Sequence, residues 1–487
     1  MLIKNIKIAG FKGIDSEVSI PLAPITLLFG GNSSGKSTIL QAFLYLYESI
    51  IHNNCDPVRS SKQGDGCLLN GFQNLVHKKD LHREISIEVE LDLENTILDS
   101  YLSSTDELLI SEYDNRTDKT RSFELNEPDI KSASVRFDIA HSESNGAYIK
   151  AYSVFIEGKL FAKIVNEKDS PQVWLIVEQD RLEDLNSIYG DETPGQVVAA
   201  GIDSWKFVTL DRVDTAMPSI DKGLQISEKN WGHDSTISNN PVVGKIYGEA
   251  ILSQLIVAPL KVLVNELEHL LHLGPVRTVP SRGYVPNKYP ENWYSGTAAW
   301  DKFAYSSTDF HAKVNEAFSC AGFDSKYEFI LGGEYKNILI RDKELNITHE
   351  PAELGIGLSQ IFPFIVAIAD KKSSFVSVEQ PELHIHPGWQ LIIGDLLIKA
   401  IKEEPRRLFL IETHSEHLML RLLNRVRLHE SEEKLDELIK IKPEDLSVIC
   451  VYANEGKPYY QQQKVTGDGD FEIEWPEGFF EERYEEL

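Results

Sequence analysis

The first residues set apolar Leu2, Ile3, Ile6 and Ile8 against polar Lys4, Asn5 and Lys7, which predicts a strand. They lack the continuous apolar core of a secretory leader. Ile25 to Phe29 is a short apolar run. Beyond it, Ile39, Leu40, Phe43, Leu44, Leu46, Tyr47 and Ile50 recur at helical spacing. Alternation over Glu84–Leu91, Ser134–Ile139 and Tyr152–Ile156 predicts further strands. Apolar positions from Ile251 to Leu273 follow a helical period that Pro259 kinks or splits in two. Late in the chain, Phe375–Val378 and Leu408–Ile411 read as buried parallel strands, and Ser447–Tyr452 and Tyr459–Lys464 as two more. Leu98–Asn126 and Tyr189–Asn240 are polar and weakly periodic, which predicts loops or adaptable arms. Strands interleaved with helices indicate an α/β fold.

The junction between the Ile25–Phe29 strand and the helix after it reads Gly30-Gly31-Asn32-Ser33-Ser34-Gly35-Lys36-Ser37-Thr38 and satisfies GxxxxGK[ST]. Glycines let backbone N–H groups close around phosphate oxygens, and the helix N-terminus adds its positive dipole. Lys36 is then the expected contact to the β- and γ-phosphates of a nucleotide. Ser37 is the expected Mg²⁺ ligand. Gly30, Asn32, Ser33, Gly35 and Thr38 complete the cradle. Such a loop does not separate a GTPase, a kinase and a motor.

Most of the chain separates Ser37 from Glu379, the acid that ends the Phe375 strand. A buried parallel strand delivers its last residue to the edge where ligands bind. Glu379 is therefore a candidate to hold Mg²⁺, directly or through water. Glu382, three residues on, is a candidate to orient or deprotonate the attacking water. The next strand ends in Glu412-Thr413-His414-Ser415, with His414 as a candidate γ-phosphate contact. Gly355-Ile356-Gly357-Leu358-Ser359-Gln360 precedes an apolar stretch and reads as a second anion site or as a turn. One nucleotide needs one such site, so a second suggests the nucleotide of another protomer.

Taken together, Phe11-Lys12-Gly13, the phosphate loop, GIGLSQ, SVEQPELHIHP and ETHSEH resemble the ABC-type ATPases of the RecF, SMC and overcoming-lysogenization-defect group. Leu273-Gly274-Pro275-Val276-Arg277 and the ending Trp475–Phe480 are similar to a bacterial subgroup associated with anti-phage defence, with the Septu ATPases, which work with an HNH nuclease, as the nearest comparison. The resemblance implies an ATPase head of mixed β-sheets and flanking helices. It divides the chain into an N-terminal head part over 1–95, an inserted α/β region over 96–325 without a long coiled coil, and a C-terminal head part over 326–487. It also implies a homo-oligomer, dimer or larger, that sandwiches ATP between Lys36 and Ser37 of one head and Gly357, Ser359 and Gln360 of another. Glu379 becomes the Walker B acid, His414 the switch histidine, and Gln73 a candidate Q-loop residue at the metal, against its plain reading as part of a turn. Gln380 stands where many relatives carry the catalytic glutamate. Either Glu382 takes the base role or hydrolysis is slow.

With 49 Lys and Arg against 76 Asp and Glu, the 487-residue chain carries a net charge of −27, which disfavours uniform wrapping by nucleic acid. Basic residues cluster at Arg406-Arg407 and at Arg421, Arg425 and Arg427, which reads either as a face that grips phosphates or a partner's acidic surface, or as a solvated helix face. Four cysteines without CxxC spacing suggest neither a disulfide framework nor a zinc site and fit a reducing cytoplasm. The apolar stretch Ile361–Ala369 is far below the roughly 20 residues that cross a bilayer, so no membrane role is expected. The expected function is a regulatory ATPase of anti-phage defence that controls a separate effector nuclease. The alternative is a DNA-repair or DNA-clamp ATPase without a toxic effector.

Overall fold

The computed structural model describes residues 1–61, 66–117, 127–144, 146–166, 173–181, 184–190, 198, 205–209, 215–226, 241–320, 327–333, 336–430, 439–454 and 456–475. Most of the expected Tyr189–Asn240 arm and the ending beyond Trp475 lie outside the described residues.

Among the described residues one sheet has nine antiparallel strands. Strand β1 (Ile3–Ala9) pairs with β2 (Val18–Pro21) on one side, after which β3 (Ile25–Gly30) leaves for the second sheet. On its other side β1 meets β4 (Ile85–Asp92), followed outward by β5 (Ser132–Ser142), β6 (Gly146–Ile156), β7 (Lys159–Asn166), β8 (Val173–Val177), β9 (Trp205–Thr209) and β10 (Gln225–Ile226). The boundary expected at 95/96 thus falls between two hydrogen-bonded strands of one sheet. Ser104–Thr117, expected as loop, is a helix.

The second sheet positions the site. Its order is β11 (Leu270–Leu273), β15 (Phe375–Glu379), β16 (Leu408–Glu412), β3, β17 (Leu446–Asn454) and β18 (Lys457–Gln463), all parallel except the final hairpin pair. Its central strands read as nearly continuous apolar runs because both faces are covered. Leu28, Phe375, Leu408, Leu410 and Ile449 pack toward the nine-stranded sheet, with helix α1 (Lys36–Ile51) between the layers. Ile25, Leu27, Phe29, Val376, Val378, Phe409 and Ile411 pack on the opposite face. There they meet α4 (Thr297–Tyr305), α5 (Thr308–Cys320), α6 (Ile356–Ala369), α7 (Pro387–Glu403) and α8 (Glu416–Glu430). A three-stranded antiparallel sheet of β12 (Tyr327–Gly332), β13 (Asn337–Asp342) and β14 (Ile347–His349) joins this layer through Phe329, close to Trp300 and Phe362.

The proline does split the Ile251–Leu273 pattern. Helix α2 (Pro241–Ile256) stops and α3 (Ala258–Glu268) restarts with Pro259 in its first turn, bent by 42°. Proline is tolerated there because its missing N–H has no intrahelical acceptor. Tyr152 Oη donates to the carbonyl of Ile256 at 2.7 Å and so satisfies the end of α2. Leu270 and Leu271, expected on the helix, instead form β11, because pairing with β15 buries their backbone as an edge strand. Among the described residues no single helix is long and apolar enough to cross a membrane.

Candidate active site

The parallel register decides what meets. Glu379 is opposite Glu412, Glu412 is opposite Leu28, and Val451 is opposite Gly30. The C-terminal ends of β15, β16 and β3 therefore converge at one edge, just where the loop to α1 begins.

That loop is shaped by close packing. A side chain on Gly30 would run into the Val451 carbonyl, and Gly35, at φ +109°, lies under Tyr460, whose hydroxyl donates to the Gly35 carbonyl at 3.1 Å. Glycine meets both demands, lacking a Cβ and tolerating positive φ. Asn32 and Ser33 are exposed at the tip, whereas Thr38 is buried in the first turn of α1.

Lys36 is only 3% exposed. Its Nζ donates to the carbonyls of Gly30 at 3.0 Å and Gly31 at 2.8 Å, and lies 3.8 Å from Glu412 Oε1. Burial lowers its pKa, with Glu412 and Glu382 opposing. Ser37 Oγ donates to Glu412 Oε2 at 2.6 Å. Glu412 has its pKa raised, by burial first and then by neighbouring Glu379, against the hydrogen bond from Ser37.

Glu382 holds the next loop. Its Oε2 accepts from Thr413 Oγ1 and its Oε1 from the His414 backbone N–H, each at 2.7 Å. Burial raises its pKa, with these bonds pulling the other way. His414 Nε2 is buried without a partner, and burial lowers the ring's pKa, helped by Lys36. Ser34 Oγ, in the phosphate loop, is likewise unpartnered.

Glu379 is steered from β11. His272, 1% exposed, has Nε2 at 3.2 Å from Glu379 Oε1 and Nδ1 at 2.7 Å from Ser377 Oγ. Gln380 follows at φ +45°, its N–H donating to the Glu412 carbonyl at 2.7 Å. Arg277 reaches under this turn with both terminal nitrogens. Glu412, His272 and Arg277 are the residues that sequence reading left without a role. Glu412 had a usable signal, a strand-end acid matching Glu379. His272 had none, since its segment carries a helical period.

A model of the family described as "AAA ATPase domain" matches residues 1–267, more than half of the sequence. The chain belongs to the AAA ATPase domain family. Residues 317–420 of this AAA ATPase also match a family described as "AAA domain, putative AbiEii toxin, Type IV TA system". No curated protein gives a match. Among solved structures, the AAA ATPase is similar to an SMC head bound to the C-terminal winged-helix domain of ScpA, with 10% identity, a TM-score of 0.41, and coverage of 95% of this chain and 98% of that one. An SMC head domain from Thermotoga maritima shares 12% identity at a TM-score of 0.39, over 96% of this chain and 100% of that one.

The structure also places the remaining residues of the sequence reading. Ser359 and Gln360 were expected to face a ligand, but both are buried in the core. Ser359 is 0% exposed with Oγ on the Pro351 carbonyl at 3.4 Å, and the Gln360 amide is taken up by the main chain of Arg277. A helical period turns these positions inward, leaving Gly355 and Ile356, 54% exposed, at the head of α6. Gly357 lies where a side chain would meet the His384 carbonyl at 2.8 Å. Gln73 sits exposed on the one-turn helix Phe72–Leu75. The basic face on α8 is largely engaged inside the chain, because Arg421 and Arg425 both grip Asp395. Among the described residues no cluster of His, Cys, Asp and Glu forms a ready metal site, and His386 Nδ1 accepts from the Gly388 N–H at the start of α7.

Proposed function

We propose that this ATPase uses Mg²⁺ and ATP, closes head to tail as a dimer or larger homo-oligomer, and controls a separate effector nuclease in cytoplasmic bacterial anti-phage defence. The observation that carries the nucleotide reading is the convergence of Lys36 and Ser37 with the strand-end acids Glu379 and Glu412. The buried, unpartnered His414 Nε2 and Ser34 Oγ fit a polyphosphate, because such groups are costly without an acceptor or donor. Ser37 and Glu379 would hold Mg²⁺, which supplies charge neutralisation at the phosphates when bound.

Lys36 supplies the fixed positive charge, and loop amides and the α1 dipole bind anionic oxygen. Gln380 orients by hydrogen bonding and accepts no proton. Both oxygens of Glu382 are already engaged. Turnover is accordingly slow, and the ATP-bound assembly is long-lived. The exposed head of α6, with glycines at 355 and 357, supports contact with the nucleotide of a second copy. The description of the family matched over 317–420 supports a place among toxin-like defence systems. An HNH-type nuclease is the effector we expect.

Light scattering of the purified protein with and without Mg·ATP tests the assembly, with Lys36→Ala as the blank. Growth in mass with ATP for wild type alone is expected. An unchanged mass refutes the sandwich. Natively expressed protein should copurify with a nuclease, whereas strong salt-dependent duplex binding without one favours the DNA-clamp reading.

A further inference from the structure

Arg277 is a buried cation with an unusual set of partners. It is 1% exposed although Val276 beside it is 68% exposed, so the chain runs at the surface and drives one guanidinium inward. Its Nη2 donates to the Glu379 carbonyl at 2.7 Å and its Nη1 to the Gln380 carbonyl at 3.3 Å. These are the last carbonyl of β15 and the first of the positive-φ turn. The main chain of Arg277 is itself clasped. Its N–H donates to Gln360 Oε1 at 3.0 Å, and Gln360 Nε2 donates back to its carbonyl. Gly296, at φ +76°, lets the segment pack between Arg277 and Pro363 of α6. A single linkage therefore joins the Glu379–Gln380 turn to the interior of α6.

A buried charge spent on two backbone carbonyls is an expensive way to hold a turn. Glutamine at 360 is equally specific, since its amide alone supplies one donor and one acceptor in a plane. Glu379 and Glu382 lie close enough to favour the charged guanidinium, whose pKa burial lowers to about 10.

We propose that Arg277 is a positioning residue for ATP hydrolysis, which sets the Glu379–Gln380 turn and, through Gln360, makes its geometry depend on α6. This rests on the reading of Glu379 as the Mg²⁺ ligand. The terminal nitrogens of Arg277 are directed at the Glu379 and Gln380 carbonyls. Its effect is on where the Glu379 carboxylate and the Gln380 amide are held.

The test uses the full chain with Arg277→Lys, which keeps the charge but loses the two-pronged donor, and Gln360→Leu, which cuts the clasp and spares the guanidinium. Three quantities are read per folded molecule: kcat and KM for ATP, affinity for a fluorescent ATP analogue without metal, and Mn²⁺ binding to the ATP-loaded protein by electron paramagnetic resonance. Both variants should lower kcat by about tenfold or more and weaken Mn²⁺ binding by a similar factor, as loss of an outer support at a metal site does. KM and metal-free nucleotide affinity should stay within about twofold, and the double variant should cost about as much as the worse single one because both act on one linkage. A kcat and Mn²⁺ affinity within about twofold of wild type in folded Arg277→Lys overturn the proposal. If that variant does not fold, the same limits on Gln360→Leu decide it. Equal Mn²⁺ binding by wild type and Glu379→Ala refutes the metal reading instead, and kcat alone then judges Arg277.

Discussion

Replacing Glu382 separates two roles that its position suggests. Its carboxylate accepts from Thr413 Oγ1 and from the His414 N–H, both at 2.7 Å, so it ties the loop after β15 to the loop after β16. A hydrogen bond to a charged group contributes about 1.5–3 kcal/mol, and a buried donor left unpaired costs about 1–3 kcal/mol. Glu382→Ala removes both acceptors. Thr413 can turn its hydroxyl elsewhere, but the His414 N–H cannot move, so we expect a loss of about 2–4 kcal/mol. Glu382→Gln keeps an oxygen for the His414 N–H and presents an NH₂ to a hydroxyl that also accepts, for a cost of about 1 kcal/mol. The two variants also differ in what they say about chemistry. A general base contributes about 10²–10⁴ in rate, whereas a neutral strut of the same shape contributes little. Steady-state hydrolysis should therefore persist in Glu382→Gln to within about fivefold of wild type, with Lys36→Ala as the blank. Thermal denaturation should rank wild type above Glu382→Gln and Glu382→Ala last. A hundredfold or greater loss of kcat in well-folded Glu382→Gln would refute the strut assignment and make Glu382 the base.

Three further outcomes are expected. Glu412→Gln should weaken Mg²⁺ binding to the ATP-loaded protein by about 10- to 100-fold, measured by calorimetry, because Glu412 orients the Ser37 hydroxyl; unchanged affinity would remove it from the metal's surroundings. Burial pushes Asp395 up, but hydrogen bonds from Arg425 and Arg421 prevail and hold its pKa below the ordinary value. Its stabilising contribution is thus present above the unfolded carboxylate pKa of about 3.9 and lost as pH falls through the lower folded value, so acid unfolding should begin at higher pH and show a shallower dependence there in Asp395→Asn. Gly357→Ala should impair ATP-driven assembly while leaving Lys36-dependent nucleotide binding intact, since the added methyl must push aside the His384 carbonyl at 2.8 Å.

The sequence by itself determined the strand, glycine-rich loop and helix around Lys36, because these are contiguous and each obeys a local rule. It equally determined that Phe375–Glu379 and Leu408–Glu412 are buried strands, since burial on both faces leaves a continuous apolar run. It marked the break at Pro259 for the same local reason. Partnership was a different matter. That Glu412 faces Ser37 follows from the parallel register of β16 with β3, which no local pattern encodes. The four-residue edge strand β11 borrows its stability from β15, so its helical period misled, and His272 came to Glu379 with it. Ser359 and Gln360 looked exposed in a glycine-rich motif, yet the rotation of α6 about its axis, set by packing against the sheet, turned them inward. Arg421 and Arg425 looked like a free basic face until α7 placed Asp395 between them. In each case local propensity chose the element, and contacts between segments far apart in the chain chose which side chains meet.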